Sequence, residues 1–178
     1  MSHARRRCLN LGLVAGLGAV LAACSSTPPV DPDVRTDVID ANYKAADALL
    51  EGLQLDRKQP LLVATFVNLE VLTESSRLGR LFSELVGSRL AQRGYLVKEL
   101  KLRESLFMKQ TQGALLLSRE VREISQTQEA QAVIVGTYTQ SSKMLYLSVK
   151  LVLPEGNVVL SAHDYAMPLD TNIKGLLR

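Results

Sequence analysis

Leu21-Ala22-Ala23-Cys24 constrains this chain more than any other feature, because it closes a lipoprotein-type signal and decides what is left to fold. Arg5, Arg6 and Arg7 form a positive leader, Leu9 to Leu21 is an apolar run of 13 residues, and small Ala22 and Ala23 precede the cut. As a helix rising about 1.5 Å per residue, the run spans about 20 Å, short of the ~30 Å hydrocarbon core. It is a poor permanent membrane span and a good cleavable signal.

Cysteine immediately after the cut resembles a signal peptidase II substrate, which implies a lipid thioether on Cys24 and acylation of its new amino group. An ordinary secretory signal followed by a chance cysteine is the plainer alternative. Several acyl chains, at about 0.8 kcal/mol per buried CH₂, hold a protein on a bilayer where a single chain would not.

Processing changes how composition is to be read. The formal charge of +3 comes from 21 basic and 18 acidic residues, and no acidic residue precedes Asp31. Losing Arg5 to Arg7 therefore leaves a neutral mature chain, with no electrostatic pull toward nucleic acid or anionic surfaces. Cys8 and His3 leave with the signal and Cys24 becomes the anchor, so no disulfide remains and His163 is the one mature imidazole. Three of the six prolines fall within Ser25 to Asp33, a stretch too polar to bury itself. Extended at about 3.1 Å per residue, Ser25 to Thr36 reaches roughly 35 to 40 Å. The chain thus divides into a signal peptide (1–23), a lipidated cysteine with a flexible tether (24–36) and one globular domain (37–178).

Within that domain helix and strand patterns alternate. Asp37 can cap a helix with Ile39, Tyr43, Ala46, Leu49, Leu50 and Leu53 on one stripe. Leu61 to Val67 is continuously apolar and of strand length. Thr73 to Ser75 offer caps for the clearest helix, where Leu78, Leu81, Phe82, Leu85, Val86 and Leu90 recur at helical spacing until Gly94. Tyr95 to Leu100 suits a second strand, Leu102 to Leu117 a short helix and loops, and Ser118 caps a helix with Val121 and Ile124 inward. Ala132 to Tyr138, the alternating Met144 to Leu153, the turn Pro154 to Asn157 and Val158 to Tyr165 complete a three-strand β-meander. The fold class expected is α/β (α+β): a mixed sheet of about five strands packed with helices and ending in that meander. The ten-residue strand from Met144 has the length of a transmembrane β-strand, yet two strands per chain would need many subunits to close a barrel.

No catalytic set emerges. His163 and Asp164 are neighbours on a strand and point to opposite faces. One histidine and no free thiol cannot build a zinc site of the usual type. Asn68 to Thr73 holds no glycine to cradle phosphate, and Glu70 and Glu74 flank a helix start whose dipole favours acidic residues. Catalytic, cofactor and metal residues are therefore all expected to be none. Two features could serve binding. Gly79, Ser83, Gly87 and Ala91 repeat every four residues as a ridge of small side chains, and helix-interior glycines cost about 1 kcal/mol each relative to alanine. Close packing by the domain's own sheet, which leucine at Gly87 would disturb, is the reading expected; a partner subunit is the alternative. Arg77, Arg80, Glu84 and Arg93 form a solvated face on which Arg80 and Glu84 can pair at i, i+4.

Several segments together resemble the FlgO domain family of bacterial envelope lipoproteins. They are Asn42 to Asp47, Val63 to Asn68, Leu72-Thr73-Glu74-Ser75-Ser76-Arg77-Leu78-Gly79-Arg80, Gly94-Tyr95, Leu117 to Glu120 and Ala130 to Tyr138. The resemblance runs from about Asn42 to Leu177, with Glu51 to Gln59 outside the pattern. It implies a non-enzymatic outer-membrane lipoprotein associated with the flagellar basal body and motility. Its partners would be the bilayer, through Cys24, and envelope proteins rather than nucleic acid. Serine rather than aspartate at Ser25 fits outer-membrane sorting, with the domain in the periplasm. A general envelope-assembly or ligand-sensing lipoprotein unrelated to flagella remains the alternative.

Overall fold

The structure, a computed structural model, describes residues 36–100, 107–109 and 115–178. The signal, Cys24 and the tether up to residue 35 lie outside the described residues. Helix α1 (Val38–Leu50) starts where expected: the Asp37 carboxylate accepts the backbone N–H groups of Ile39 and Asp40 at 3.1 and 2.9 Å. Its buried face differs from the apolar stripe. Ile39 is 51% exposed, while Asn42, Ala45, Ala46 and Leu49 face inward. Asn42 can be buried because its amide donates to the Val38 carbonyl and its oxygen accepts from the Tyr165 hydroxyl, each at 2.7 Å.

The expected strand Leu61 to Val67 is two strands, β1 (Leu61–Ala64) and β2 (Val67–Asn68). Phe66 interrupts it. Its N–H donates to the Gly79 carbonyl at 3.3 Å, and its carbonyl accepts the Ser75 hydroxyl at 2.7 Å. Ser75, just before helix α2 (Arg77–Gln92), and Gly79 in its first turn thus claim the Phe66 peptide groups, and the Phe66 ring drops into the core. Ser76, one residue beyond the expected candidates, is the cap, accepting from Gly79 N–H at 3.3 Å. Gly94, at φ +87°, turns the chain away from α2 toward strand β3 (Val97–Leu100).

Where a short helix was expected after residue 102, the described residues hold two antiparallel strands instead, β4 (Phe107–Lys109) and β5 (Leu115–Leu117); the rest of that stretch lies outside them. Leu115 to Leu117 is apolar without helical spacing; it pairs antiparallel with β4, and the Leu117 N–H donates to the Asn157 side-chain oxygen at 3.0 Å. Ser118 caps helix α3 (Arg119–Thr127), and β6 (Ala132–Gln140), β7 (Met144–Leu153) and β8 (Val158–Pro168) form the meander. A last helix, α4 (Thr171–Leu176), closes the chain.

The main sheet runs β3-β1-β6-β7-β8, with β2 continuing beside β6. Pairs among β1, β2, β3 and β6 are parallel, and β6–β7 and β7–β8 are antiparallel. The mixed α+β class is as expected. One sheet face packs on α1, α2 and α4 through residues such as Phe66, Phe82, Ile134, Leu147 and Ile173. The other packs on α3 and Leu117 through Leu62, Val121, Val133, Val135 and Val152.

Candidate docking surfaces

The four ridge residues of α2 come to three different settings. Gly79 is buried so tightly that a β-carbon there would overlap the Phe66 carbonyl and the Ser75 hydroxyl and reach 3.1 Å from the Tyr138 ring. Ser83 and Gly87 are buried along one wall of a groove of about 560 Å³. Ala91, at the end of the same wall, is exposed. Val63 on β1, Thr65 just after it, and Val97 and Glu99 on β3 supply the groove's other described wall. A β-carbon on Gly87 would sit 3.6 Å from Val97 and 3.8 Å from Val63, which is ordinary contact. Glycine is sterically required at Gly79 and is not at Gly87.

Arg89 and Arg93 join α2 to α1. Asp47 accepts two hydrogen bonds from Arg89, at 2.9 and 2.7 Å, and Arg93 binds the same carboxylate at 2.7 Å. These bonds, Arg93's first and Arg89's next, hold the Asp47 carboxyl well below the ordinary carboxylate range. Arg89 also lies 5.3 Å from the centre of the Tyr43 ring. Among the described residues, i, i+4 ion pairs form between Asp40 and Lys44 and between Arg119 and Glu123.

The outer face of the meander is the second surface. Register places Thr137, Ser148 and Asp164 side by side across β6, β7 and β8, with Thr139, Tyr146 and Ala166 as the next rung. Tyr146 is 49% exposed. A shallow trough of about 520 Å³ runs over these rungs and is bounded by the exposed Leu69. Sequence periodicity overlooked this surface, although the alternation of Ala162, Asp164 and Ala166 with larger residues was its signal.

The candidate acid–base residues do not converge. His163 stacks on Tyr165, ring centres 5.8 Å apart, on the helix-covered side, while Asp164 points to the outer face. Burial raises the Tyr165 hydroxyl's pKa above its ordinary value. Glu70 accepts from the Thr139 hydroxyl at 3.2 Å. Among the described residues no group of three or more His, Cys, Asp or Glu side chains could hold a metal ion, and no helix is long and apolar enough to cross a membrane.

Asp170 ties the two ends of the domain. It caps α4 by accepting from Ile173 N–H at 2.8 Å and accepts Thr36 N–H at 3.0 Å. Burial alone would raise its carboxyl; these backbone bonds outweigh that and hold it below the ordinary range. Arg77 meanwhile donates to the carbonyls of Gly175 and Arg178 at 2.9 and 3.2 Å, stapling α4 to the start of α2.

Comparison with known proteins places this geometry. A family model described as FlgO protein matches residues 43–172. No curated protein matches the chain. Among solved structures, the LpoB C-terminal domain from Salmonella enterica is similar with a TM-score of 0.54 at 14% identity, covering 74% of this chain and 98% of that one. The LpoB C-terminal domain from Escherichia coli gives 0.51 at 15% identity, with 74% and 98% covered. At such identities the likeness is one of fold.

Proposed function

The chain belongs to the FlgO family, and from that premise we propose that it is a non-enzymatic lipoprotein of the outer membrane whose domain docks onto the flagellar basal body. Residues 1–23 act as the signal, Cys24 carries the lipid, residues 24–36 form the tether and residues 37–178 the docking module. The observation that carries this reading is the lipobox cysteine ahead of a proline-rich tether in a chain of this family. Thr36, bound to Asp170, is the point where such a tether enters the domain.

Intact-mass analysis of the membrane fraction tests the anchor: a lipid adduct on Cys24 is expected, lost in Cys24→Ser. A soluble chain of unmodified mass would overturn it. Deleting the gene in a flagellated host tests the role, with impaired swimming or loss of filaments expected. Normal motility would leave the general envelope reading. A small-molecule sensor would then gain thermal stability with its ligand, by RT ln(1 + [L]/Kd), as a docking module does not.

A further inference from the structure

The outer face of the meander is built in two halves. Toward the β7–β8 turn, Leu117 and Val121 join the cluster that holds Val133, Val135 and Val152. Beyond it the rungs Val135–Lys150–Ala162, Thr137–Ser148–Asp164 and Thr139–Tyr146–Ala166 follow one another, and two concavities sharing Thr137 and Ser148 lie over them. The floor is made of small side chains, and one aromatic, Tyr146, stands out from it.

Lys150 and Asp164 sit on adjacent rungs of neighbouring strands, diagonal to each other. Neither makes an ion pair or a hydrogen bond through its side chain. The rest of the face is Val135, Thr, Ser, Ala and Tyr, with the Glu70 carboxylate held at its rim by the Thr139 hydroxyl, so an unpaired cation and an unpaired anion describe a surface that can complement itself. A two-fold axis lying in the face, along the perpendicular bisector of the line between the two charges, exchanges them. Lys150 of each copy then meets Asp164 of the other, and both pairs form at once. Strand pairing through the edge of β8 is the poorer route, since a register shift between Leu151 and Val152 and Pro168 at the far end both disturb that edge.

We infer that this face is a self-association surface for a second copy of the same chain, joined by reciprocal Lys150–Asp164 pairs around Tyr146. The inference does not depend on lipidation. The full chain, purified from membranes in detergent, is compared with its Lys150→Asp, Asp164→Lys and double-reversal variants by light scattering over a concentration series. Dimers are expected for the parent chain, with each single reversal weakening association at least about tenfold and the double reversal restoring it. Unchanged melting temperatures show that the variants fold. A monomeric parent chain overturns the inference, as do dimers indifferent to either reversal, or single losses that the double reversal fails to repair. Cys24→Ser should associate like the parent, which separates failure of this surface from failure of the anchor.

Discussion

The two faces of the sheet are finished to different standards. On the face under α1, α2 and α4, tolerance is set by backbone: the Phe66 peptide is held by Gly79 and Ser75, and the Phe66 ring lies so close on Gly136 that a β-carbon there would overlap it. The buried Asn42 on this face is paired with Tyr165. On the other face α3 covers a band of valines, and then cover gives way to Thr139, Tyr146, Asp164 and Ala166. The difference teaches that one face specifies the fold and the other is left for contact. Substitutions should respect that boundary.

The largest effect is expected at Gly79. Gly79→Ala drives a methyl into the Phe66 carbonyl, which cannot move without opening the β1–β2 break. Overpacking against backbone should cost about 3 kcal/mol, outweighing the helix propensity that alanine brings. Urea denaturation measures it, and a stabilised variant would erase the contrast between faces. Asn42→Ala comes next. It strands the buried Tyr165 hydroxyl, for a cost of about 1 to 3 kcal/mol. Adding Tyr165→Phe should recover part of that loss, which calorimetry on the single and double variants would detect.

Acid should loosen the helix-covered face. The carboxyls of Asp47 and Asp170 both titrate below the ordinary carboxylate range when folded. On acidification the unfolded chain therefore takes up protons first. The stabilisation is complete above the ordinary carboxylate pKa of ~3.9 and declines as pH falls through it toward the folded values. Denaturation midpoints at about pH 6 and about pH 3 should differ in that direction, and Asp47→Asn should flatten the difference. The Asp47 carboxylate is partly solvated, so screening keeps its share small, on the order of 2 °C in melting temperature.

How much of this was legible in the sequence depends on whether the cause was local. Asp37, Ser118 and Gly94 announce their helix ends, and strict alternation announces β7, because capping and pleat are properties of a few neighbouring residues. Phe66 looked like one more apolar residue in a strand; the bond that breaks the strand comes from Gly79, thirteen positions on. Ile39 and Asn42 exchanged roles because a hydroxyl on β8 satisfies the asparagine. The β4–β5 pair and α4 lacked any period long enough to read. Of the candidate surfaces, the spacing from Gly79 to Ala91 was visible, but the wall that faces it exists only because β3 pairs in parallel with β1. No local pattern carries that.

Gly87 and Tyr146 are where effects should be smallest and the comparison sharpest. The groove leaves room for a methyl on Gly87, so Gly87→Ala should gain up to about 1 kcal/mol from helix propensity alone. A loss as large as that at Gly79 would mean the ridge is packed along its whole length. Tyr146→Ser removes a ring that is half exposed on the open face. Its effect on the melting of dilute, dissociated chain should stay within about 0.5 kcal/mol, the usual range for surface positions. A larger loss would mean that Tyr146 belongs to the core after all. A negligible loss, beside weakened association at high concentration, would assign the ring to contact and the Gly79 side of the sheet to folding.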